Sequence, residues 1–242
     1  MRIPSLTDRA VLELENRSTL NNRVARLVVL VSRVTQPRMQ LAIGGAVAGV
    51  DAGWRRNTVD LDVFARPTSA KRLVKSLAAV GMRTFWITDA HAVAWLREDN
   101  ENEIAAGESP SIRIDVLSTL SEPEASAIRT AVKPRALGVP VKVFRPDYLT
   151  AIKFLAARPL DLVDFDELIL LGVDPERVRY LVATADASRS AAVASRIRKL
   201  LKPPSGVAES RSPYLSRHGF HQAFAAAMAR SGRTPGRSAR NP

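Results

Sequence analysis

Apolar residues recur at three- and four-residue steps from residue 10 to residue 34, at Val11, Leu12, Leu14, Leu20, Val24, Leu27, Val28, Val31 and Val34. That period predicts helix, and Asn21-Asn22 predicts a break into two helices. Gln40–Ile43 then reads as a short strand running into Gly44-Gly45, followed by a short helix over 46–53 that ends at Gly53. Val59–Ala65 alternates acidic and apolar positions and predicts a strand whose Val59, Leu61 and Val63 point into the core. Pro67-Thr68 opens a helix through Val80 that Gly81 closes. Arg83–Ile87 predicts a third strand, Asp89–Leu96 a short helix, and the polar stretch Arg97–Pro110 a surface loop or hairpin. Ser111–Leu117 alternates cleanly as a strand, Pro123–Val132 reads as a helix and Gly138–Phe144 as another strand.

Beyond Arg145 the pattern turns purely helical, over Pro146–Ala157, Leu160–Leu171, Pro175–Ala185 and Ala187–Leu201. Residues 203–242 are rich in Ser, Arg, Pro and Gly, with one apolar patch at Phe220, Phe224 and Met228, and are expected to be largely disordered. The expected organisation is an α/β part over 1–145, a helical part over 146–202 and a basic tail over 203–242.

Charge sharpens this division. The 242-residue chain carries a formal net charge of +12, and residues 196–242, with ten basic residues and one acid, supply +9 of it. The body is close to neutral and the C-terminal end is strongly basic. Such an end either binds a polyanion such as nucleic acid or acts as a solubilising tail. No apolar run approaches the roughly 20 residues needed to cross a bilayer, and the N-terminus has no signal-peptide core. There is no cysteine, hence no disulfide framework and no thiolate metal site. A cytoplasmic location with no membrane contact is expected.

The chemistry-bearing residues cluster in Leu41–Phe64. Gly44-Gly45, between an apolar strand and a helix, allows close backbone approach to a phosphate. Asp60 and Asp62 occupy alternate positions of one strand, about 6.5–7 Å apart on the same face. Such a pair suits a divalent cation, although alone it also suits two solvated acids on an edge strand. Fifteen residues separate Gly45 from Asp60, enough for a short helix and a return on a neighbouring strand. Asp115, among Ile112, Ile114 and Val116, is costly in so apolar a strand unless paired, hydrogen-bonded or metal-bound, and alternation puts Arg113 on its face. Should the two strands be neighbours, three carboxylates converge, as phosphoryl and nucleotidyl transfer require.

The order Gly-Gly, Arg-x-Thr-x-Asp-x-Asp and a lone later Asp resembles the nucleotidyltransferase superfamily, with its DNA polymerase β-like fold. It is most similar to bacterial nucleotidyltransferases of the AbiEii toxin type and their uncharacterised relatives. Arg145-Pro146-Asp147-Tyr148-Leu149, Lys153 and the segment from Arg158 through Asp161 to Asp164 resemble that group's second motif, so the similarity spans about residues 38–172. The resemblance implies an α+β fold, a mixed sheet flanked by helices with a helical part after it. It further implies an enzyme transferring a nucleotidyl group from an NTP to a hydroxyl acceptor with Mg2+, the acceptor an RNA such as tRNA or a small molecule. A cognate antitoxin partner is expected in the toxin setting; a catalytically silent nucleotide-binding member is the alternative. Gly44 and Gly45 would hold the triphosphate, and Asp60, Asp62 and Asp115 would bind metal, Asp115 also serving as base. Arg56 and Thr58 would contact phosphate or position the loop, Lys153 would reach the nucleotide phosphates, and Asp161 and Asp164 would orient Lys153 or Arg158. The family's frequent Gly-Ser is Gly44-Gly45 here, which removes one hydroxyl donor.

Overall fold

The computed structural model describes residues 3–18, 20–108, 110–119, 122–135 and 137–185. The chain forms two compact units, Met1–Leu149 and Thr150–Pro242. The helix expected over Ala187–Leu201 and the tail over 203–242 lie outside the described residues.

The first unit opens with helices α1 (Arg9–Arg17) and α2 (Asn22–Val34), separated where the two asparagines predicted a break. The break has a local cause: Asn21 caps α2, its side chain accepting from the Val24 N–H at 2.9 Å. Helix α2 is buried along nearly its whole length, from Val24 to Val31 and at Val34. Its one buried cation, Arg26, donates to the Pro4 carbonyl at 2.5 Å and pairs with Glu98 and Asp99. Burial raises the Asp99 carboxyl above its ordinary value despite Arg26 beside it.

Five strands form one mixed sheet in the order β1-β2-β5-β4-β3, where β1 is Leu41–Ile43, β2 Asp60–Ala65, β3 Arg83–Thr88, β4 His91–Trp95 and β5 Arg113–Ser118. Strand β2 is internal, antiparallel to β1 and parallel to β5. One face of these strands is apolar: Leu61, Val63, Ala65, Ala92, Ala94, Ile114 and Val116 are all fully buried. Helix α4 (Pro67–Ala79) lies against β2, β3, β4 and β5 and buries Ala70, Leu73, Val74 and Leu77. Pro67 starts it, at the first-turn position where a missing N–H costs nothing. Gly81, at φ +100°, ends it, with Gly81 N–H bonded to the Ala78 carbonyl and Met82 N–H to that of Leu77.

Four expectations change. Asp89–Leu96 is not a helix; its core, β4, is a strand paired with β3 on one side and β5 on the other. Its alanines suit a helix, but Ala92 and Ala94 alternate with half-exposed His91, Val93 and Trp95, and sheet pairing overrides propensity. Arg97–Pro110 is neither loop nor hairpin throughout, since it contains a 3-10 turn (Arg97–Asp99) and a short helix α5 (Glu101–Ala105). Gly138–Phe144 forms no strand beyond isolated bridges from Val143 to Ile43 and to Val132, and Pro140 within it has no N–H to give a ladder. Val59 precedes β2 and is 47% exposed rather than core.

Between these elements lie α3 (Gly45–Ala48), a 3-10 turn (Val50–Ala52) and α6 (Glu124–Thr130). The segment after β4 is pinned by Asn100. Its buried amide donates to the Leu96 and Ile112 carbonyls at 3.0 and 2.9 Å and accepts from the Ile112 N–H at 2.9 Å.

Helix α7 (Pro146–Ala156) carries the chain from the first unit into the second. The second unit holds α8 (Pro159–Leu170) and α9 (Pro175–Ala183). Phe154 and Phe165 pack with ring centroids 5.3 Å apart. Gly172, at φ +97°, ends α8, and Asp174 caps α9 by accepting from the Glu176 N–H at 2.9 Å. No helix among the described residues is long and apolar enough to cross a membrane.

Two stability outcomes follow from these packings. Asn100→Ala removes one acceptor and one doubly used donor group from a buried place. Urea denaturation should show a loss of about 2–3 kcal/mol. Asp166 has a carboxylate oxygen that is buried without a hydrogen-bond partner, and burial pushes its carboxyl up to about 6. An acid raised in the folded state is fully tolerated only below its unfolded value, so stability falls as pH rises from near 4 to about 6. Asp166→Asn should raise the Tm at neutral pH and leave it nearly unchanged at about pH 3.5.

Candidate active site

The apolar face of the sheet fixes what lies on the other face. With Leu61 and Val63 turned into the core, Asp60 and Asp62 must project from the opposite side of β2. Strand β5 runs beside it in parallel, and the register sets Asp62 against Asp115 and Asp60 against Arg113. Carboxylate oxygens of Asp60, Asp62 and Asp115 consequently lie within 4.8 Å of one another. Two such charges repel by roughly 3 kcal/mol at an effective dielectric constant of 20. The arrangement therefore stands only with neighbours that offset it.

Those neighbours are specific. Asp115 is buried, and both its oxygens are engaged: Arg113 Nε donates to Oδ2 at 2.9 Å, and His91 Nε2 lies 2.8 Å from Oδ1. Arg113 is itself steadied by a 2.8 Å bond from Nη1 to the Pro110 carbonyl. The Thr58 hydroxyl donates to Asp60 Oδ1 at 2.7 Å. Asn21, while capping α2, also donates from Nδ2 to the Thr58 carbonyl at 2.7 Å. A relay of Asn21, Thr58 and Asp60 thus joins the start of α2 to the first acid.

The glycine turn sits against the same face. Gly44 N–H donates to the Asp62 carbonyl at 2.9 Å. A Cβ on Gly44 would come within 2.6 Å of the Phe64 ring, which packs on Phe144 at a centroid distance of 4.8 Å. Gly45 has φ +56°, and a Cβ there would meet Asp62 Oδ2 at 2.2 Å. Both glycines therefore make room for side chains of β2. Gly44 N–H is engaged within the sheet, so a phosphate at this turn would have to find its donors from Gly45 onward.

The remaining sequence candidates are placed as follows. Arg56 is half-buried, its guanidinium 5.7 Å from the ring centroid of Trp54. Trp54 itself is buried and packs over Gly49. Lys153 belongs to the second unit, where Nζ lies 2.9 Å from Asp161 Oδ1 and 2.9 Å from Asp164 Oδ2. Arg158 adds a second cation to Asp161 at 2.5 Å. Burial works to raise the Asp161 carboxyl, but the Arg158 and Lys153 hydrogen bonds outweigh it and hold it below its ordinary value.

Three contributors were not legible as such in the sequence. His91 lay in a segment read as helix, Asn21 was read only as a helix break, and Arg113, placed on the face of Asp115 with an ion pair to a basic neighbour left open, was given no part in the site. Among the described residues Asp60, Asp62 and Asp115 form the group of acids and histidines placed to hold a metal ion. All donors are hard carboxylate oxygens, a set suited to Mg2+, Mn2+ or Ca2+ rather than to soft metals.

No protein-family model matches this chain, and no curated protein matches it. Two solved structures of the antibiotic-resistance factor ANT(2'')-Ia are similar to it. The solution structure, described with substrate-regulated conformation dynamics, covers 72% of this chain and 95% of that one, at 19% identity and a TM-score of 0.47. The crystal structure with adenylyl-2''-tobramycin covers 71% of this chain and 97% of that one, at 18% identity and a TM-score of 0.45.

The glycine turn yields a controlled prediction. Gly45→Ala forces both left-handed backbone strain and a clash with Asp62, and Gly53→Ala, at φ +79° with open space around it, forces strain alone. Gly53→Ala should cost about 1–2 kcal/mol in chemical denaturation, and Gly45→Ala more than that. Only Gly45→Ala should also weaken Mn2+ uptake, measured by titration.

Proposed function

We propose that the protein is a nucleotidyltransferase that moves a nucleotidyl group from an NTP to a hydroxyl acceptor. The observation that carries this reading is the convergence of Asp60, Asp62 and Asp115 from two adjacent parallel strands, with oxygens within 4.8 Å, beside the Gly44-Gly45 turn. The motif order that resembles the nucleotidyltransferase superfamily, and its AbiEii-type members in particular, supports the same reading.

In this scheme the acceptor hydroxyl attacks the α-phosphorus of the NTP. A new P–O bond forms, the bond to the bridging α–β oxygen breaks, and pyrophosphate leaves. Asp115 accepts the proton of the attacking hydroxyl on a carboxylate oxygen. His91 and Arg113 fix the direction in which that carboxylate points. Thr58 holds Asp60 beside Asp62, and the relay through Asn21 keeps Thr58 in place. The backbone N–H groups from Gly45 onward would receive the triphosphate, and Arg56 would supply a cation to it. Mg2+ held by the three acids would neutralise the triphosphate and ease ionisation of the acceptor hydroxyl.

The acceptor we favour is an RNA, tRNA foremost, within a cytoplasmic toxin–antitoxin pair. The strongly basic end of the chain supports a polyanionic acceptor, because the remainder contributes only +3 of the +12 net charge. A small hydroxyl compound is the competing acceptor.

The test incubates purified protein and Mg2+ with each α-labelled NTP, offering total tRNA in one arm and an aminoglycoside in the other. Label should pass to tRNA, and Asp62→Asn should reduce transfer at least about 100-fold with its circular dichroism unchanged. Label in the aminoglycoside arm alone would replace the RNA reading with the small-molecule one. Absence of NTP binding and of transfer to any hydroxyl acceptor would defeat the enzymatic reading altogether.

A further inference from the structure

We propose that Arg113 is a built-in counter-cation that competes with the divalent ion for Asp115, and so sets how tightly the acidic cluster takes up metal. This rests on the metal-dependent reading above and extends it to a residue outside the acid triad. Arg113 lies on β5 two residues before Asp115, on the same face, and stands in register with Asp60. Its Nε binds Asp115 Oδ2 at 2.9 Å, and its Nη1 is tied to the Pro110 carbonyl at 2.8 Å, so the guanidinium is held on both sides. The second oxygen of Asp115 is engaged by His91 at 2.8 Å.

Two consequences follow. First, Arg113 brings a permanent positive charge to a cluster of three acids, because a guanidinium does not lose its proton in a protein. It stabilises the cluster whenever no divalent ion is there. Second, a cation that draws on Asp115 must share or displace one of two existing bonds, whereas Asp60 is held by a neutral hydroxyl from Thr58. Recruitment of Asp115 is therefore contested by a fixed charge. Arg113 is a positioning residue in this scheme, acting on the metal through Asp115.

A purely structural Arg113 would behave differently. Removing a structural ion pair weakens the fold and leaves metal affinity the same or lower. Removing a competing cation strengthens metal binding.

The experiment measures Mn2+ affinity of the full-length protein in the absence of nucleotide, by electron paramagnetic resonance of free Mn2+. It compares wild type with Arg113→Gln and Arg113→Lys, and follows thermal melting of each with and without Mn2+. Arg113→Gln should bind Mn2+ about tenfold more tightly, and Arg113→Lys should return towards wild type. The Tm of Arg113→Gln should drop in metal-free buffer and recover more on adding Mn2+ than wild type gains. A folded Arg113→Gln protein with unchanged or weaker Mn2+ affinity overturns the inference, as does a Tm deficit that Mn2+ fails to narrow. Were neither wild type nor variant to take up Mn2+, even with an NTP present, the nucleotidyl-transfer reading would fall along with it. Uptake by wild type with no gain in Arg113→Gln sinks this inference alone.

Discussion

The parallel pairing of β2 with β5 places Asp62 against Asp115, and the rest of the site answers to that one juxtaposition. Neither strand is free to avoid it. Leu61, Val63 and Ala65 on one strand and Ile114 and Val116 on the other are fully buried. A slip of one residue in either strand would turn a whole apolar set towards solvent. Hydrophobic burial thus enforces an electrostatic conflict on the opposite face. Arg113, His91 and Thr58 are among the groups that make the conflict tolerable, and each of these comes from the sheet or from the loop leading into it.

The second unit contains the complementary case. There a cation, Lys153, lies between two buried acids, Asp161 and Asp164, and Arg158 balances the surplus negative charge. Buried ion clusters of this kind contribute little net stability, since desolvation offsets much of the attraction. Their effect is directional: removing one partner leaves a charge with no compensation. Asp166, on the same helix α8, shows an acid in which the burial of one carboxylate oxygen is not matched by a hydrogen-bond partner.

Much of this was readable from residue order because local signals agreed with the tertiary outcome. Pro67 and Gly81 bracket α4 by backbone rules that hold in any context, and the alternation around Asp60, Asp62 and Asp115 follows from core burial. Where local signals were weak, the reading failed. The alanines of β4 carry helix propensity and little else, and their strand state is imposed by neighbours on both sides. His91 disappeared from view with that misassigned segment. Gly138–Phe144 has a strand-like composition, yet only Val143 forms bridges. The glycine pair was read for the ligand it could admit. Its tight contacts with Phe64 and Asp62 are long-range facts that no local pattern carries.

The fit of Gly45 under Asp62 ties two positions seventeen residues apart into a single unit of inheritance. Any side chain at position 45 has to displace the acid at 62. A lineage that drifted away from glycine there would lose the acid's placement in the same step. Restoring the aspartate's setting would then require reverting the turn itself. In a collection of descendants the two positions should change together or stay together, whichever acceptor each descendant modifies.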